Sequence, residues 1–109
     1  MSLRTNLKYD LGTLGANGEA TNMVLSQDFR NATFTINCAG TAGFTIKFYS
    51  SNSEDQPDLS SASSATNLYA ETQVIDLNDG AGIAGTTGLV VSGDIIKQVE
   101  INQNTNRWV

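Results

Sequence analysis

Asn31, Ala32, Thr33, Phe34, Thr35, Ile36, Asn37 and Cys38, followed after a short interval by Phe44, Thr45, Ile46, Lys47, Phe48 and Tyr49, carry the reading on which the fold turns. In the first run Phe34, Ile36 and Cys38 alternate with Thr33, Thr35 and Asn37. In the second, Phe44, Ile46 and Phe48 alternate with Thr45, Lys47 and Tyr49. Period-two alternation puts one set on a buried face and the other in water, which defines two half-buried β-strands. Between them lie Ala39, Gly40, Thr41, Ala42 and Gly43, whose glycines can take positive φ, so the spacing predicts an antiparallel hairpin.

Working outward, Val74 to Leu77 closes a strand-like segment that opens at Tyr69. Leu89 to Ser92 and Ile95 to Asn102 read as two further strands around a Gly93, Asp94 turn, with Val99 and Ile101 facing the core. Ser50 to Asn67 is crowded with serine and holds Pro57 and the acidic residues Glu54, Asp55 and Asp58; it reads as a long surface loop with room for one helical turn starting at Pro57. The glycines at 80, 82, 85 and 88 mark a second flexible loop, and Gln103 to Asn106 a polar turn. Met23 to Leu25 is a short apolar run ahead of a polar corner at Ser26, Gln27 and Asp28. Residues 1–21 are polar and glycine-punctuated, with Leu3, Leu7, Tyr9, Leu11 and Leu14 as anchors, and the Leu7, Tyr9, Leu11 alternation suits an extended arm.

The expected architecture is all-β: an extended N-terminal arm at 1–21 and an antiparallel β-sandwich of about seven strands at 22–109, jelly-roll or immunoglobulin-like. A small β-barrel is the alternative. The chain of 109 residues is long enough for one domain with a real core, and charged residues make up only 16% of it. No repeat of solenoid length emerges.

Composition then narrows function. The net charge of -5 and the scattered Arg4, Lys8, Arg30, Lys47, Lys97 and Arg107 speak against nucleic acid, which requires clustered cations. No apolar run approaches the ~18 residues of a membrane span, so a soluble protein is expected. The opening Met-Ser-Leu-Arg-Thr-Asn lacks the apolar core of a secretory signal, and the single Cys38 reads as a buried small hydrophobe; both fit folding in a reducing cytoplasm. Without an export signal the Asn31, Ala32, Thr33 sequon reads as chance.

Motifs with chemical content weaken on inspection. Gly80, Ala81, Gly82, Ile83, Ala84 and Gly85 match G-x-G-x-x-G, but Thr86, Thr87, Gly88, Leu89, Val90 and Val91 follow, where a dinucleotide site needs a helix. Asp76, Asn78, Asp79 and Gly80 resemble the start of a calcium loop, yet Gly80 stands at the fifth position and Thr87 at the twelfth, where oxygen ligands belong. With no histidine, no nucleophile elbow and carboxylates at 54, 55, 58, 76, 79 and 94 read as lying in polar loops, an enzyme, a cofactor or a metal centre is not expected. Tyr49, Tyr69 and Trp108 are candidate contact residues, since exposed aromatics anchor interfaces or stack on sugars. Trp108 either closes a strand in the core or is supplied to a neighbour, or the natural chain runs on past it.

The run Phe44 to Ser53, then Gln56, Pro57, Asp58, Leu59 and Ser60, then Asp76 to Gly80, and the late Arg107, Trp108 and Val109 resemble small bacteriophage virion proteins, from about residue 32 onward. That resemblance implies a noncatalytic β-sandwich of the virion, assembled in the bacterial host cytoplasm, that decorates or cements the capsid or belongs to the tail. Its partners would be the major capsid protein or other virion subunits, and it would act as a homo-oligomer, with a trimer compatible. Contacts are expected at Leu3, Leu7, Tyr9, Leu11, Tyr49, Tyr69 and Trp108, with Lys47 and Lys97 pointing outward to limit sheet growth. The competing expectation is a carbohydrate-binding or adhesin-type module that uses Tyr49 or Tyr69.

Overall fold

A computed structural model of the chain describes residues 7–40, 43–62, 64–101 and 105–109. Among these the secondary structure is all β, in eight strands: β1 (Ala32–Cys38), β2 (Gly43–Ile46), β3 (Tyr49–Ser50), β4 (Ala70–Glu71), β5 (Val74–Asp76), β6 (Gly82–Ile83), β7 (Leu89–Ser92) and β8 (Ile95–Ile101). Every pairing is antiparallel. One sheet has the order β1-β8-β5-β6, and β2-β7 and β3-β4 form two-stranded sheets. Among the described residues no helix is long and apolar enough to cross a membrane, and none begins at Pro57, which is buried within the serine-rich loop.

The alternation sets the faces of β1 but not fully those of β2, where Phe44, expected inside, is 39% exposed and only Ile46 is half-buried. Thr33, Thr35 and Asn37 are exposed, while Phe34 and Ile36 are half-buried and Cys38 is buried. The hairpin, however, does not form: β1 pairs with β8 from Ala32↔Ile101 to Cys38↔Ile95, and β2 pairs with β7 from Gly43↔Ser92 to Ile46↔Leu89. The same correction applies to β7 and β8, which flank the Gly93, Asp94 turn without pairing to each other.

Physical bookkeeping explains the choice. A hairpin would lay the apolar rows of β1 and β2 side by side, facing the same way with nothing over them. Placed in different sheets, the rows meet in one core: Cys38, Phe48, Val74, Leu89, Val91, Val99 and Ile101 are buried together, and the rings of Phe34 and Phe48 stand 5.1 Å apart. Closing Cys38 onto Ile95 rather than onto the next strand costs about 2 kcal/mol more in loop entropy. Burying a Val or Ile side chain returns about 1.5–3 kcal/mol, so two such residues outweigh it.

The chain changes sheet after β1 and again between β7 and β8, where Gly93 and Asp94 make the corner. Gly93 turns with φ 75°, and the Asp94 carboxylate accepts the Gly40 N–H at 2.8 Å across the corner. A further segment crosses between sheets nearby. The strand expected from Tyr69 to Leu77 is split, because the Thr72 N–H donates to the Phe48 carbonyl whereas Val74–Asp76 pairs with β8 and β6.

Other expectations are corrected locally. The loop of glycines contains a strand, since Gly82–Ile83 returns against β5 after the Asp76 N–H bonds the Ala81 carbonyl. The G-x-G-x-x-G match is thus half of a hairpin. Gly88, at φ 78°, lies so close to β2 that a Cβ would stand 2.9 Å from the Ile46 carbonyl oxygen. Lys97 lies on the core-facing side of the central strand β8 rather than outward, while Lys47 is exposed and bonds Glu71 at 3.0 Å. Leu3, Thr41, Ala42, Asn102 and Gln103 lie outside the described residues.

The Asp94 bond generates a stability prediction. Asp94→Ala should lower the free energy of unfolding by about 1 kcal/mol in urea titration, and Asp94→Asn, whose amide oxygen still accepts, by clearly less. Equal losses would show that the corner is held by something other than this acceptor.

Candidate functional site

The C-terminal residues organise the surface on which three of the candidate residues, Tyr49, Tyr69 and Trp108, meet. Main-chain bonds clamp residues 107–109 on both flanks: Val24 N–H to Val109 O at 2.7 Å, Ser26 N–H to Arg107 O at 2.7 Å, and Ser51 N–H to Trp108 O at 3.0 Å. Trp108 therefore closes a strand of its own fold, paired in isolated bridges with Leu25 and Ser51. Its ring is half-buried, and the indole N–H donates to the Ser53 carbonyl at 3.0 Å. That polar anchor is what a partly buried tryptophan requires.

Tyr49 and Tyr69 come together beside this strand. Their rings meet edge to face with centroids 5.5 Å apart, and the Tyr69 hydroxyl donates to the Ser61 carbonyl. Both are half-buried. They fasten the serine-rich loop to the β3-β4 pair, and Tyr69 also lines the surface. Next to them are two adjoining shallow depressions. One is lined by Ser50, Asn52, Leu68, Tyr69 and Asn106, and the other by Gln27, Asp28, Asn52, Thr105, Asn106 and Arg107. Asp28 holds φ at 75°, and the Arg107 Nε is buried without a hydrogen-bond partner. Gln27, Asp28, Asn52, Asn106 and Arg107 were not legible as a group, because they come from three loops far apart in the chain and share no spacing.

The arm candidates stand apart from this surface. Leu7 and Tyr9 are 56% and 54% exposed, Leu14 is exposed too, and Leu11 is half-buried; none belongs to a strand. The Asp10 carboxylate accepts the Gly12 N–H at 2.9 Å, which turns the chain after Leu11.

Most carboxylates are committed to turns. Asp79 accepts the Ala81 N–H, Glu19 the Gly15 N–H and Asp94 the Gly40 N–H. Asp58 takes both the hydroxyl and the N–H of Ser60, at 2.6 and 2.9 Å, while Asn67 closes the loop by bonding the Asp58 N–H and carbonyl. These bonds, led by the Ser60 hydroxyl, hold the Asp58 carboxyl below its ordinary value. Asp76 corrects the reading of it as a loop residue: it ends β5, is buried, accepts the Asn78 N–H at 2.9 Å and faces the Lys97 ammonium at 3.4 Å. Among the described residues no three His, Cys, Asp or Glu side chains converge as a metal-ligand set. Comparison with protein families, curated proteins and solved structures finds no match.

Two measurements follow from these carboxylates. Asp76→Ala strands Lys97 without its counter-charge and the Asn78 N–H without its acceptor, and should cost about 2–3 kcal/mol of stability in chemical unfolding. Asp76→Asn keeps the acceptor and should lose about half of that. For Asp58, a depressed carboxylate contributes order that is full above its unfolded pKa and vanishes as pH falls through the lower folded one. An NMR titration should place its midpoint below the usual aspartate range, and Ser60→Ala should move it upward.

Proposed function

We propose that this chain is a noncatalytic structural protein of a bacteriophage virion, a β-sandwich that decorates or cements the capsid by repeated contacts with shell subunits and with its own copies. The observation that carries the reading is the unpaired arm. Leu7, Tyr9 and Leu14 present apolar surface that nothing in the described fold covers, on a segment that makes no sheet pairing of its own. An extended segment of this kind gains affinity by adding main-chain bonds and apolar anchors to a neighbour.

The sandwich is supported by the core shared between the four-stranded sheet and the β2-β7 pair. The division into an arm at 1–21 and a domain at 22–109 is supported by the first buried side chain of the described fold, Met23. A chain in which six carboxylates lock turns, among them Asp76 with its partly buried ion pair, has well-tied connections, which suits a protein displayed in many copies. Weak contacts per copy are multiplied when each copy bridges adjacent subunits. Partners in this reading are the major capsid protein or other virion subunits. The chain would be made in the host cytoplasm and reside on the particle.

A second reading, a carbohydrate-binding or adhesin-type module, including a tail-associated one, is favoured by one observation: Tyr69 borders depressions lined with Asn52, Asn106, Asp28 and Arg107. An aromatic edge beside amides and charges is the chemistry that holds sugar hydroxyls.

Mass spectrometry of intact purified particles should find the chain in many copies, and deletion of residues 2–16 should reduce its retention by about tenfold or more, equivalent to losing a few anchoring contacts. Undiminished occupancy would remove the arm from the mechanism. Glycan-array binding abolished by Tyr69→Ala would replace the virion reading with the second one.

A further inference from the structure

The edge of the four-stranded sheet is open at β1. The direction of its main-chain groups can be deduced from the other side of the sheet. The Leu77 N–H donates to the Gln98 carbonyl at 3.0 Å, so the main-chain groups of Gln98 turn toward β5. In an antiparallel strand neighbouring residues turn theirs to opposite sides, so Lys97 and Val99 bond toward β1, where Ile36 and Phe34 are their partners. Thr33, Thr35 and Asn37 therefore point their N–H and C=O groups away from β8, to an edge on which no described residue bonds them.

Nothing along this edge discourages pairing. β1 is seven residues long, holds one register with β8 throughout, and contains no charge, proline or glycine. Proteins usually protect such an edge with lysine, proline or a bulge. Lys97, opposite Ile36 on the paired strand β8, lies on the core-facing side and is engaged with Asp76, and Arg30 precedes the strand rather than lying along it. The core-facing row of β1 is also incompletely covered, since Phe34 and Ile36 remain half-buried.

The arm carries the complement. Leu7, Tyr9 and Leu11 alternate with Lys8 and Asp10, the stretch pairs with no described residue, and the Asp10 to Gly12 turn ends it. We propose that residues 7–11 of one copy add as a strand to the free β1 edge of a second copy. Leu7, Tyr9 and Leu11 then extend cover over Phe34 and Ile36, and Lys8 and Asp10 fall on the outer face with Thr33, Thr35 and Asn37. Copies that each carry a net charge of -5 meet at an uncharged edge through a segment whose Lys8 and Asp10 cancel. The proposal rests on the reading of the N-terminal segment as an arm that engages neighbours, and it names the receptor.

The test uses purified protein without particles. Full-length chain should gain mass with concentration in sedimentation analysis, and the chain lacking residues 2–16 should stay monomeric. A synthetic peptide of residues 5–15 should bind the truncated protein. Thr35→Pro removes the outward N–H along with the hydroxyl that accepts from Gln98 Nε2 at 3.4 Å, and should weaken both peptide binding and full-length self-association by at least about tenfold, whereas Thr35→Val, which loses the same hydroxyl but keeps the N–H, should leave both intact. If the truncated chain does not fold, the full-length Thr35→Pro comparison, with an unfolding curve as control, decides alone. A full-length protein that remains monomeric, or an association that survives both the deletion and Thr35→Pro, would overturn the exchange between copies. Arm-dependent association in a protein missing from purified particles would support the exchange and overturn the virion reading instead.

Discussion

The antiparallel ladder between β1 and β8 is the constraint on which the rest of the structure depends. It joins segments near the two ends of the core-forming sequence, from Ala32↔Ile101 to Cys38↔Ile95, and the four-stranded sheet is built on it. β5 adds to the far side of β8, β6 folds back on β5, and the pairing resumes beyond the corner as β2 with β7. Val99, fully buried on β8, lies where these contributions converge. A fold built this way has few local pairings, so its core and its topology form together.

Holding such a fold with short strands puts weight on the connections. Here acidic side chains act as local clamps: Asp10, Asp58, Asp76 and Asp79 each accept the N–H of a residue two positions on. These Asx-type bonds fix turn geometry without any apolar surface. The same residue types that a motif search weighs as ligands or catalysts are thus consumed by backbone geometry. Asp76 is the strongest case. Its carboxylate combines a turn bond with a partly buried ion pair to Lys97, which makes it part of the core's polar frame.

Two surfaces remain after the core and turns are accounted for. One is the polar cleft region near Tyr69 and Arg107, assembled from segments brought together by the clamped residues 107–109. The other is the combination of an unpaired apolar arm and an uncharged sheet edge. They differ in chemistry: the first offers amides and charges beside an aromatic edge, the second unbonded main-chain groups and apolar side chains.

Much of the local structure was legible in the residues themselves. Alternation identified β1, β7 and β8, assigned Phe34, Ile36, Cys38, Val99 and Ile101 to the inner face, and marked Gly93 and Asp94 as a turn. Side-chain period reports which face is wet, because that choice is made one residue at a time by burial. It is silent about which strand lies alongside, because main-chain hydrogen bonds are the same for every residue. The hairpin between β1 and β2, the outward Lys97 and the strand from Tyr69 to Leu77 all failed at that step. Partner choice was decided only when whole apolar rows closed on one another in three dimensions, where the gain from a shared core exceeded the slowly growing cost of joining distant segments.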